Sequence, residues 1–116
     1  MPNQEEIDVA AAVRHSQRRA VAALAELLER ADIYEMPSID WKVDTAGWVL
    51  TGTATRGGAA VRREVVVEWA RHLGLADPHE YAHASGTRAL TTFGEVDLAG
   101  REFRVLVRAD LCADDT

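Results

Sequence analysis

The sequence predicts an α+β domain. It reads as a two-layer sandwich with helices on one face of a four-stranded antiparallel sheet, in the order α-β-β-α-β-β, with a long N-terminal helix. Three observations predict it. Residues 4–31 and 59–74 repeat apolar side chains at helical spacing. Residues 39–55 and 89–111 alternate apolar and polar side chains around a turn. Both turns, at 43–47 and 96–100, read V-D-x-A-G, in which Asp bonds the turn backbone and Gly takes the left-handed closing position.

The first helix contains no Gly and no internal Pro. Ala10, Val13, Ala20, Leu24, Leu27 and Ala31 step by threes and fours, Gln17 fills the gap, and Val21 and Leu28 widen the stripe. Glu5 and Glu6 suit its positive end, and Arg30 its negative end. Such a helix is roughly 42 Å long. A domain of 116 residues cannot cover it all, so part is expected to project or to pair with a second copy. Met36-Pro37-Ser38 is a linker. Ile39 to Val43 alternates as a half-buried strand, and Trp48 to Thr55 returns. The second helix carries Val61, Val65, Val66, Trp69 and Leu73 on one face, with Gly74 as its C-terminal cap and Leu75 as its hydrophobic contact. Residues 78–84 read as a short helix, with Asp77 as N-cap, Pro78 first and Glu80 reaching back as in a capping box. The second hairpin follows, with its turn at 97–100.

Strand parity assigns Ile39, Trp41, Val43, Trp48, Leu50, Phe103, Val105 and Val107 to the helix side. Lys42, Val49, Thr51, Thr53, Glu102, Arg104, Leu106 and Arg108 fall on the open side. Leu90 and Phe93 cannot both point inward unless Gly94 marks a bulge. All three tryptophans, Trp41, Trp48 and Trp69, are expected in the core.

Composition narrows the function. Apolar residues make up 47% and charged residues 28%, which describes a folded domain. The net charge of −6 argues against bulk attraction to nucleic acid or anionic membranes. No apolar run approaches the ~18 residues that cross a bilayer. Residues 1–6 have neither a positive segment nor an apolar core, which argues against a signal peptide. The single cysteine, Cys112, cannot form an internal disulfide and has acidic neighbours that disfavour its thiolate. A reducing cytoplasm is the expected setting.

One motif invites an enzymatic reading. His79-Glu80-Tyr81-Ala82-His83 has the H-E-x-x-H spacing of zinc proteases, in which two imidazoles one helical turn apart grip the metal and the Glu activates water. A short surface helix is the wrong setting, because those enzymes use a long buried one. Ala89 also stands where the longer form of the motif places a third His. His72, His79 and His83 meeting across a short loop is a second way to a metal. A third alternative is nucleic-acid binding through Arg88, Arg101, Arg104 and Arg108 of the second hairpin, diluted by Glu102 and Asp110. No phosphate-cradling glycine loop and no serine elbow is present.

The V-D-x-A-G-R-E-F segment and the W-A-x-x-L-G end of the second helix resemble small actinobacterial proteins without an assigned activity. The resemblance covers residues 39–75 and 85–107, and it implies no substrate. The expectation is therefore a cytoplasmic, non-enzymatic, self-associating interaction module without cofactor or metal. Its surface would be Val13, Gln17 and Ala20 on the first helix, with Leu24 and Leu27 extending the seam, and Arg104, Leu106 and Arg108 on the open sheet face.

Overall fold

A computed structural model describes residues 3–44 and 48–111. Among them the order is α1 (Gln4–Ile33), β1 (Asp40–Val43), β2 (Val49–Ala54), α2 (Ala59–Leu73), β3 (His79–Ala82), β4 (Arg88–Leu98) and β5 (Arg101–Leu111). The α+β class follows as the sequence predicts. The sheet does not: it has five strands, ordered β1-β2-β5-β4-β3, and it is mixed. β2 runs parallel to β5, from Val49↔Arg104 to Ala54↔Ala109, and the other neighbours are antiparallel.

The additional strand is β3, where a short helix over 78–84 was expected. The cause is pairing rather than propensity. β4 offers an open backbone edge, and His79–Ala82 docks on it in register with Thr91–Arg88. A turn closes this hairpin: His83 donates to the Thr87 carbonyl at 2.8 Å, and Gly86 takes a left-handed φ of 88°. Glu80 therefore caps no helix.

Both helices end on local chemistry. The Asn3 side chain accepts the Glu6 amide at 2.9 Å and opens α1. Gly74, at φ 68°, closes α2, and Leu75 donates back to the Ala70 carbonyl at 2.8 Å. The β4–β5 turn is tighter than expected. Only Ala99 and Gly100 leave the ladder, both at positive φ (50° and 80°), and Asp97 stays paired opposite Glu102. This is the mirror-image two-residue turn whose twist suits a hairpin. In the first hairpin the Asp44 carboxylate accepts the Trp48 and Val49 amides, as the motif predicts. Residues 45–47 of that turn, and Cys112, lie outside the described residues.

The core lies between the helices and the inner sheet face. Central β5 contributes Phe103, Val105, Val107, Ala109 and Leu111, β2 contributes Leu50 and Ala54, and β4 contributes Leu90, Val96 and Leu98, all buried. Ala23 and Leu27 of α1 join Val65, Val66, Trp69 and Leu73 of α2 above them. The β4–β5 register is continuous, so Gly94 makes no bulge. It instead lets the chain after α2 pass close overhead, where an added Cβ would stand 3.1 Å from Leu75 Cδ2. Leu90 is accordingly buried and Phe93 is turned outward. Trp69 is buried and Trp41 half-buried, but Trp48 is 43% exposed. It precedes the first paired residue of β2, where Phe103 lies alongside it and the Arg19 and Arg101 guanidinium groups lie over its ring.

Candidate functional site

The first four residues of the H-E-x-x-H segment form strand β3 and His83 opens the turn after it, and that removes its metal geometry. Successive side chains alternate across the sheet. His79 and Tyr81 share the open face with their partners Thr91 and Ala89, whereas Glu80 shares the inner face with Leu90. Four residues of extended chain span about 13 Å, against roughly 6 Å along a helix, so His79 and His83 are not set to grip one ion. Glu80 is held by two arginines, Arg63 of α2 at 2.8 Å and Arg88 of β4 at 3.1 Å. The hydrogen bond from Arg63 is the largest cause holding its carboxyl below the usual range, desolvation opposes it, and both cations reinforce it. The same bond raises Arg63. Glu80 is thus a tie between helix and sheet. His72 is elsewhere, on α2, with its ring against Tyr34 (5.0 Å) and Trp69 (6.1 Å). Among the described residues, no three His, Cys, Asp or Glu side chains converge as a metal site would need.

The four arginines of the second hairpin do not gather either. Arg104 and Arg108 point to the open face, where Arg104 pairs with Glu95 at 3.1 Å and Arg108 with Asp110 at 2.7 Å. Arg88 and Arg101 belong to the inner-face set at opposite ends of the sheet, one on Glu80 and the other over Trp48. On the open face Lys42, Arg104 and Arg108 are interleaved with Asp40, Glu95, Asp97, Glu102 and Asp110. That is not the basic track a phosphate backbone needs.

The six residues expected to form an interaction surface separate into two sets on opposite sides of the sheet. Arg104, Leu106 and Arg108 project from β5 away from the helices, beside the outward Phe93, which is 52% exposed and covered partly by the Arg104 guanidinium. On α1, Val13 and Gln17 are exposed, but Ala20 is fully buried in the protomer's own core, as is Leu27, and Leu24 is half-buried. The expected seam therefore stops short of Ala20. The sheet lies beneath only the second half of the helix.

Residues 3–15 are exposed throughout. The line that buries Ala20, Ala23 and Leu27 continues toward the N-terminus at the same alternating spacing through Ser16, Val13 and Val9. Val9 is 60% and Val13 43% exposed. A second line, Ile7, Ala10, Arg14, Gln17, Val21, Leu24 and Leu28, runs beside it at heptad spacing, with Ile7, Val21 and Leu28 exposed. Sequence reasoning passed over Ile7 and Val9. Their signal was apolar character on a helix longer than its domain. Charge is sorted along the same segment: Glu5, Glu6 and Asp8 first, then Arg14, Arg18 and Arg19. Among the described residues no helix is long and apolar enough to cross a membrane. No protein-family profile, curated protein or solved structure matches this chain.

Proposed function

We propose that this chain is a protein-interaction module that associates with itself through the first half of α1. One observation carries the reading: the core-facing line of α1 runs past the edge of its own sheet and leaves Val9 and Val13 uncovered. A helical segment of about twelve residues without tertiary support is marginal in water. A partner that buries its apolar side supplies that support, at roughly 1.5–3 kcal/mol for each valine or isoleucine fully covered. The symmetric partner is a second copy presenting the same patch.

Light scattering after size-exclusion chromatography tests this. The wild type is expected to be dimeric, with a monomer fraction that grows on dilution. Val13→Asp is expected to be monomeric with unchanged circular dichroism, because Val13 has no part in the buried core. A Val13→Asp protein with the wild-type oligomeric state would overturn the α1 seam. The outward face of β5 around Phe93, Arg104 and Leu106 would then be the surface to probe.

A further inference from the structure

The second apolar line of α1 runs about a third of a turn around the helix from the core-facing line. It repeats in heptads, with Ile7, Arg14, Val21 and Leu28 in one row and Ala10, Gln17, Leu24 and Ala31 in the other. Ile7, Val21 and Leu28 are exposed. Beside the second half of this line lies an open groove. Leu28 and Ala31 form one wall, and Met36, Ile39, Trp41 and Trp69 continue its lining. Met36, Ile39 and Trp41 rest on the core but are only partly buried, so they form an apolar floor.

Two helices related by a twofold axis can lie side by side in two ways. Parallel helices share an axis that runs along them. That rotation turns the sheet-facing side of one helix away from the sheet of the other, so Val9 and Val13 gain no cover. Each seam residue then meets its own copy: Ala10 and Ala31 leave gaps, and Arg14 faces Arg14. Antiparallel helices share an axis perpendicular to both and to the line between them. That rotation leaves both sheet-facing sides pointing the same way. Centred on residue 19, the pairing uses the whole helix: Ile7 of one copy meets Ala31 of the other, Ala10 meets Leu28, Arg14 meets Leu24 and Gln17 meets Val21. Both alanines now face a large side chain. The unsupported first half of each helix lies along the groove of the other, with Val9 and Val13 turned toward its floor. We infer that the second copy docks antiparallel, each chain laying the first half of its α1 into the groove between Leu28 and Trp41 of its partner. The inference rests on the self-association proposed above and adds the surface that receives the free half of the helix.

The test uses a Cys112→Ser background, in which introduced thiols are the only ones. Ile7→Cys/Ala31→Cys is expected to form a covalent dimer on mild oxidation, visible on a non-reducing gel and lost with reductant. Within one chain the two positions are roughly 36 Å apart along the helix and cannot join. Ile7→Cys alone is expected to stay uncrosslinked, because Ile7 meets its own copy only in a parallel pair. Leu28→Asp is expected to weaken dimerisation about a hundredfold in sedimentation equilibrium with unchanged circular dichroism, because it sets a charge in the docked seam. Three outcomes would each overturn the antiparallel docking while leaving self-association through the first half of α1 intact. They are a double-cysteine variant that dimerises without crosslinking, a covalent dimer from Ile7→Cys alone, and a Leu28→Asp protein that dimerises like wild type while Val13→Asp is monomeric. A wild type that stays monomeric at every concentration overturns the self-association itself, and this inference with it.

Discussion

Trp69→Phe probes how α2 is tied to the linker before β1. Trp69 is 1% exposed. Its indole N–H donates to the Pro37 carbonyl at 2.9 Å, and its ring meets Trp41 edge to face at 5.4 Å. Phenylalanine keeps an aromatic ring but removes the donor and part of the volume. An unpaired buried carbonyl costs roughly 1–3 kcal/mol. Pro37 is half-buried, so water can reach that oxygen in part and the lower half of the range applies. The gap left by the smaller ring adds about 1–2 kcal/mol, below the cost of full truncation to alanine. The sum is about 2–4 kcal/mol, a large share of a stability on the order of 10 kcal/mol for a domain this size. In urea denaturation followed by circular dichroism, the midpoint should fall by about 1–2 M at an ordinary slope. Trp48→Phe is the matched control. That residue is largely exposed and meets mainly Phe103 and two guanidinium groups, so its loss should cost about 1 kcal/mol or less. Equal midpoints for the two variants would refute the assignment of Trp69 as the anchor of the linker.

Ala99 holds a left-handed φ of 50° that alanine disfavours by roughly 1–2 kcal/mol and that asparagine tolerates. Ala99→Asn should therefore stabilise the domain by about 0.5–1 kcal/mol in the same assay, with its amide still donating to Glu26 of α1. Glu80, whose carboxyl is held below its usual range by Arg63, contributes stability that is present above the ordinary carboxylate range and lost as pH falls through its lowered value. The midpoint difference between wild type and Glu80→Gln should accordingly be largest near neutrality and shrink as pH falls through that lowered value. A difference independent of pH would show that the Arg63–Glu80–Arg88 tie contributes nothing through its charge.

The two long helices and the β4–β5 hairpin were legible in the sequence because their signals are local. Apolar spacing, a capping Gly74 and a left-handed Gly100 act within a few residues of themselves. Strand parity likewise set Leu90 and Phe93 on opposite faces unless Gly94 formed a bulge, and the continuous β4–β5 register removed that alternative. β3 was not legible. Asp77, Pro78 and Glu80 have the chemistry of a helix start, and four residues are too few for periodicity to outvote them. Only the free edge of β4 and the two arginines waiting for Glu80 make the segment a strand. The parallel contact of β2 with β5 was equally hidden, because it joins segments separated by α2 and a whole hairpin, and no local pattern encodes such a pairing. The same limit applies to α1. Its sequence determines a helix with an apolar side along nearly its full length. Where the sheet ends beneath that helix decides that Ala20 and Leu27 are core and that Val9 and Val13 face water, since burial is a property of what lies opposite a side chain and not of the side chain itself.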